Sequence, residues 1–336
     1  MRLEDFYKIC EHTGAKSAHV RLLARGLLRG TLKARANLPF PKALEDRLPD
    51  ICEAFEKTLK PLDVRASEDL SSKKFLFELP DGNTIESVLL PRDAFCVSTQ
   101  VGCAVGCLFC QTGTTGLIRQ LDALEIIAQV AFALRERPST KRVVFMGMGE
   151  PSHNLKNVLD SVDFLADFGE FAHKELVISS VGDKRLFDTL MTRKIKPALA
   201  ISLHTTDDNL RAKLLPKAPK IPIADLFEAA ERYATLSHYP IQFEWTLMEG
   251  VNDSEADIER LIALLKNRFA MVNFIAYNPG SLSRFSRPSR EKMVEIVKRV
   301  RASGAIATIR DSAAQTIDGG CGQLRARVIP IKKDSI

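Results

Sequence analysis

The 336-residue chain has no apolar run approaching a membrane span, no second Cys or His pair at zinc-ligand spacing, no low-complexity stretch and no repeated motif. A spanning helix needs about 20 consecutive apolar residues, so no membrane partner is expected. The start, Met1-Arg-Leu-Glu-Asp-Phe6, does not read as an apolar signal segment. Seven cysteines in a chain of this length, without such a segment, do not suggest a disulfide framework. The expected compartment is the reducing cytoplasm. Strong charge of one sign is also missing. The net charge of +6 is compatible with an anionic partner without requiring one. What remains is an ordinary globular composition, 45% apolar, at a length suited to one large α/β domain with a smaller appendage.

Against that background Cys103, Cys107 and Cys110 stand together in Val-Gly-Cys-Ala-Val-Gly-Cys-Leu-Phe-Cys. The spacing C-x3-C-x2-C lets three thiolates hold three irons of a cubane iron–sulfur cluster and leaves the fourth iron open to a small molecule. Zinc sites usually pair C-x2-C with a second ligand pair, which this chain lacks. Three inert buried thiols are the plain alternative, and their crowding into one short segment argues against chance. The open iron points to reductive cleavage of S-adenosyl-L-methionine to a carbon radical.

Residues 1–66 read as short helices, with positive charges at Lys16, Arg21, Arg25, Arg29, Lys33 and Arg35. Such a run is either a solvated helix face or a phosphate-contacting surface. Arg211, Lys213, Lys217 and Lys220 form a second basic group with the same expectation. Lys74 to Leu90 alternates around Pro80-Asp-Gly-Asn83, a β-hairpin signal. From Phe95 a βα alternation begins, with strands expected near 95–99, 142–146, 175–179, 197–203, 241–247 and 271–276, and a further one near 305–309. Asp122 and Glu125 predict a capping box for a helix over 121–135. Six βα units suggest an open parallel α/β barrel, with its chemistry at the C-terminal ends of the strands. The expected division is 1–70, a helical RNA-binding accessory domain; 71–94, a hairpin extension; 95–310, the barrel; and 311–336, a tail.

Most of the expected strands end in reactive or polar residues. The first runs into the triad, and the second ends in Gly147-Met148-Gly149-Glu150-Pro151. Ser179-Ser180, Ser202-Leu203-His204 and Tyr277-Asn278 follow at later strand ends. Glu150 can accept hydrogen bonds from an ammonium group. His204 by itself would more often be structural, but recurrence at strand ends favours one shared pocket. Cys321 is flanked by Gly319, Gly320 and Gly322, which predicts an exposed thiol suited to covalent chemistry. Cys96 lies seven residues before the triad. Cys10 and Cys52, in apolar helical surroundings, read as core filler.

Taken together, Cys96-Val-Ser-Thr-Gln-Val-Gly-Cys103, the triad, Phe145 to Pro151, Ser202-Leu203-His204 and Cys321-Gly-Gln-Leu324 resemble the RlmN/Cfr family of radical S-adenosylmethionine RNA methyltransferases. The resemblance covers nearly the whole chain. It implies a partial (β/α)6 radical SAM barrel with a small N-terminal helical domain and a β-hairpin extension. Cys103, Cys107 and Cys110 match the ligands of one 4Fe-4S cluster. Gly149, Glu150, Ser179, Ser202, Leu203, His204 and Asn278 fall where the family contacts S-adenosylmethionine. Cys321 matches the cysteine that is methylated, Cys96 the one that frees the product through a transient disulfide with it, and Glu86 the proton acceptor. The implied reaction methylates an adenine ring carbon, C2 or C8, of rRNA or tRNA. Its implied partners are RNA and a cellular electron donor, with the protein a monomer. The alternatives are a radical SAM enzyme on a non-RNA substrate and a non-catalytic iron–sulfur or zinc protein that binds RNA. The chain departs from the family pattern at Gln120, at Ser152-His153-Asn154 and in the loop Arg310 to Asp318.

Overall fold

The computed structural model describes residues 1–32, 40–279 and 284–326. Twelve strands occur among them: β1 Lys60–Ala66, β2 Lys73–Glu78, β3 Thr84–Leu90, β4 Ala94–Cys96, β5 Gln100–Gly102, β6 Leu117–Gln120, β7 Arg142–Phe145, β8 Leu176–Ser180, β9 Ala198–Ser202, β10 Ile241–Leu247, β11 Ala270–Ala276 and β12 Ile306–Arg310. Ten form one sheet in the order β1-β2-β3-β4-β7-β8-β9-β10-β11-β12. The first four pair antiparallel, and from β4 onward every pairing is parallel. Helices Leu155–Phe168, Lys184–Thr192, Ile223–Ser237, Glu255–Leu265 and Arg290–Ala302 each connect consecutive parallel strands from β7 to β12. The fold is therefore the expected α/β partial barrel, open between β1 and β12, with a hairpin extending one edge.

Apolar strands alternating with amphipathic helices require this layering. Strands such as Ala-Leu-Ala-Ile in β9 are buried on both faces, as parallel strands under helices must be. Trp245, Phe243 and Phe274 fill the sheet side of the core, and Phe227 from Ile223–Ser237 stacks on Phe243 with centroids 4.1 Å apart. Burying each such side chain is worth about 1.5–3 kcal/mol. The parallel register aligns Ser202, Glu244, Asn273 and Thr308 in one row across β9, β10, β11 and β12.

Helix Ala123–Glu136 starts at the expected capping box. Glu125 N donates to Asp122 Oδ1 and Asp122 N to Glu125 Oε2, both at 2.9 Å. Replacing Asp122 by alanine is expected to cost about 1 kcal/mol, seen as a lower urea midpoint at unchanged slope.

The expectation of helices throughout 1–66 fails at its end. Helices Leu3–His12, Ser17–Arg29, Lys42–Glu45 and Leu48–Glu56 form, but Lys60–Ala66 is strand β1. It is exposed along most of its length, so no alternation of burial marks it, and its conformation comes from pairing with β2. Lys33 and Arg35 lie outside the described residues. Of the other N-terminal charges, Arg25 and Arg29 pair with Glu170, and Arg21 donates to Asp167 O. No helix among the described residues is long and apolar enough to cross a membrane.

Candidate active site

The triad loop hangs from a small ribbon made by β5 and β6. Gly102 makes the entry turn at φ +76°, where a Cβ would sit 2.0 Å from Gly116 O. Only glycine fits there. Cys103 N donates to Gly116 O, Cys110 N to Cys107 O, and Leu108 N to Leu214 O. Cys103 is buried, and Cys107 and Cys110 are half-buried. Burial pushes the Cys103 thiol up to about 12 and Cys107 well above its ordinary value, with neighbouring Cys110 and Glu150 adding to both. Thiolates so placed need a cationic centre to hold their charge. No three His, Cys, Asp or Glu side chains among the described residues converge on a single-ion site. A cubane cluster takes one thiolate per iron, and three cysteines at this spacing suit three of its irons.

The strand ends meet this loop in one pocket. It is lined by Cys103, Cys107 and Cys110, by Gly149 and Glu150 after β7, Ser179 of β8, Ser202 and His204 at β9, and Cys321. Gly149 lies at φ +104°, where a Cβ would come within 2.6 Å of Gln100. The Glu150 carboxylate is held by Ser180 Oγ at 2.5 Å, Ser152 N at 3.0 Å and Val181 N at 3.0 Å. A carboxylate offers about four acceptor positions, so one remains for a ligand.

His204 is buried at φ +64° with its ring edge-on to Phe109. Thr246 N donates to its Nδ1 at 3.0 Å, which puts the ring proton on Nε2. Burial, helped by Arg211, lowers its pKa to about 3. Protonation therefore favours the unfolded chain. Stability from this residue is complete above the unfolded value near 6.5 and is lost as pH falls toward 3. His204→Gln is expected to flatten the acid limb of a stability-versus-pH curve, as measured by denaturant titration.

Cys321 is exposed, as its glycine neighbours predict, but its loop is firmly held. Asn278 Nδ2 donates to Cys321 O at 3.1 Å and to Ser312 Oγ at 2.7 Å, Gln111 N to Gly322 O, and Thr112 Oγ1 to Leu324 O. Asn278 thus supports the loop. Leu203 is fully buried, its N–H bonded to Glu244 O. Cys96 is buried at the end of β4, and burial raises its pKa to about 12, with Cys321 the next contributor. Both thiols are free.

Glu86 lies away from the pocket. Its Oε1 pairs with Lys74 Nζ at 3.0 Å, and its Oε2 accepts from Arg325 N at 2.8 Å and Ala326 N at 3.1 Å. Lys74 Nζ also donates to Asp318 O. The pair clamps both ends of the Cys321 loop to the hairpin.

Arg211 does not join the basic surface expected of it. It is 4% exposed and donates to Val181 O and Ser202 O, bracing two strand ends. Lys213, Lys217 and Lys220 are exposed. Gln120 joins Gln100 to His153 O, while Arg119 binds Glu125 through two nitrogens and also reaches Asp81. Sequence reasoning missed Glu244 and Thr246 in the pocket lining, while Tyr277 joins it as its strand end predicts. The one available signal for Glu244 was a charge inside the apolar run Ile241–Leu247.

This is an α/β partial barrel whose strand ends surround a three-cysteine loop. Residues 97–265 match the model of the radical SAM superfamily, and the chain belongs to that superfamily. It is 48% identical to a probable RNA methyltransferase of Pseudomonas paraeruginosa, over 97% of this chain and 96% of the relative. It is 47% identical to a probable RNA methyltransferase of Azoarcus sp., over 99% and 96%. A radical SAM methyltransferase structure from Sphaerobacter thermophilus superposes with a TM-score of 0.87 at 34% identity, over 97% of this chain and 98% of that one.

Proposed function

We propose that the protein is an RNA methyltransferase of the RlmN/Cfr type, acting on an adenine ring carbon through an S-methylated Cys321. The observation that carries this is the convergence of Cys321 with Cys103, Cys107 and Cys110 in one pocket. The names of the relatives and of the solved neighbour support the same reading. Bound at the triad, a 4Fe-4S cluster would supply the electron that splits S-adenosylmethionine at its sulfonium.

The chain's own residues do the rest. Gly149 leaves room for the cosubstrate against the backbone, Glu150 offers its open acceptor position to the ammonium group, and His204 Nε2–H and the Ser179 and Ser202 hydroxyls supply polar contacts. C2 of adenine is not nucleophilic, so direct methyl displacement there fails. The Cys321 thiolate takes the methyl of one S-adenosylmethionine by ordinary displacement, the 5′-deoxyadenosyl fragment of a second would take a hydrogen atom from it, and the remaining methylene joins the ring carbon. Cys96 then attacks the Cys321 sulfur, so that an S–S bond forms, the S–C bond breaks, and the released carbon takes up a proton as the product's methyl. An external electron donor would serve this site, and the protein acts as a monomer.

Mass spectrometry of digested total RNA tests this reading. A methyladenosine should be present only in cells containing the protein. Identical RNA profiles with and without it would refute the assignment.

RNA reaches the pocket across a basic surface that includes Lys213, Lys217 and Lys220. Replacing all three by glutamine is expected to weaken binding and to flatten the plot of log affinity against log salt by about 0.7–0.9 per lost phosphate contact. An unchanged slope would make them a solvated face. Arg211→Gln is expected to lower stability instead, because two buried carbonyls lose their donor.

A further inference from the structure

The pocket holds a second carboxylate that the roles above do not use. Glu244, within β10, is 4% exposed and lines the pocket beside Cys321, Ser202 and His204. Its Oε1 accepts from Asn273 Nδ2 at 2.9 Å and from Arg310 Nη1 at 3.0 Å. Thr308 Oγ1 donates to Asn273 Oδ1 at 2.6 Å and fixes that amide in turn. Oε2 is buried with no hydrogen-bond partner among the described residues. An unsatisfied buried acceptor is destabilising, and a ligand's proton would remove that cost. Burial outweighs Arg310 and holds the Glu244 carboxyl above its ordinary value, which suits a group that takes up a proton. Glu86 is also buried, at 6% exposed, but it does not line the pocket, and its oxygens take Lys74 Nζ and the Arg325 and Ala326 amides.

Resting on the RNA-methylating reading, we propose that Glu244 Oε2, and not Glu86, is the proton acceptor at the adenine carbon to which Cys321 becomes joined. In that step the ring C–H bond breaks, its electron pair stays in the ring, the proton passes to Oε2, and the unpaired electron left by addition of the methylene radical passes to the oxidised form of the one-electron reductant. Arg310 faces Cys321 and Cys96 as well as Glu244. Once Glu244 is neutral, the Arg310 guanidinium is freed to favour the Cys96 thiolate, Cys321 being a thioether at that stage. Proton removal and sulfur chemistry thus share one cation.

The test uses the full chain with a reconstituted cluster, S-adenosylmethionine, a chemical reductant, and RNA from cells lacking the protein that were fed adenine deuterated at C2 and C8. Cys96→Ala serves as the background, so that the protein–RNA adduct accumulates. Expected are methylated Cys321 in this variant and in its Glu244→Gln and Glu86→Gln derivatives. The adduct should have lost one ring deuterium in the parent and in Glu86→Gln. In Glu244→Gln the adduct that has lost one ring deuterium should fall at least about 100-fold, in line with the loss of a general base. Loss of deuterium at the parental rate in Glu244→Gln would overturn the proposal. So would retention of both deuteriums in Glu86→Gln. Failure of Glu244→Gln to methylate Cys321 would also overturn it, by making Glu244 a support for the cysteine. If the Cys96→Ala parent methylates Cys321 yet forms no RNA adduct, the RNA reading itself fails, and the inference with it.

Discussion

Cys96→Ala is expected to leave the protein covalently joined to its RNA. If Cys321 carries the methylene and Cys96 resolves it, the variant completes every step up to the ring adduct and then stops. A thioether does not hydrolyse readily, so the adduct should persist through denaturing electrophoresis and yield an adenine-bearing peptide ending at Arg325. Cys321→Ala should fail earlier, with no methylated cysteine and no adduct, because no carrier remains. The fold should tolerate both changes. Cys321 is exposed on a loop held mainly through backbone carbonyls, and Cys96 is a small buried side chain at a strand end. Full turnover by Cys96→Ala would refute its role. A trapped adduct on Cys96 would mean that the two cysteines have the opposite roles.

The second large effect concerns the triad. Anaerobically prepared protein is expected to be brown with close to one four-iron cluster per chain. Changing Cys103, Cys107 or Cys110 to alanine should abolish the colour and all methyl transfer to RNA. Such variants should still fold, because the loop is closed by Cys103 N, Leu108 N and Gln111 N through backbone bonds. Iron analysis and circular dichroism on one sample separate loss of metal from loss of structure. Stoichiometric zinc with full activity after iron removal would refute the cluster.

Much of this was legible because the signals are local. The triad occupies eight consecutive positions in one loop, the Asp122–Glu125 box acts over one helical turn, and the parallel strands announce themselves as short apolar runs. β1 left no such mark, since an exposed edge strand buries neither face and depends on a partner for its conformation. The serines, glycines and histidine at strand ends could be placed together because a parallel barrel brings its C-terminal strand ends to one rim. Roles set by a single distant partner stayed hidden. Arg211 looked like one more surface cation among lysines, and its two carbonyl acceptors lie at the ends of two strands.

The sequence by itself determined the fold class, the three-cysteine loop and, among the four cysteines outside it, the two that stand in distinctive contexts, Cys96 and Cys321. These depend on spacing and periodicity, which act through neighbours along the chain. Only the tertiary structure decided which partners each charged group finds. It turned Glu86 and Lys74 into a clamp 239 residues from the Arg325 amide that Glu86 holds. It also seated Glu244 beside Arg310, 66 residues away, with one oxygen left open. A carboxylate's function depends on burial and on the donors that reach it, and in this fold those donors come from strands and loops remote in sequence.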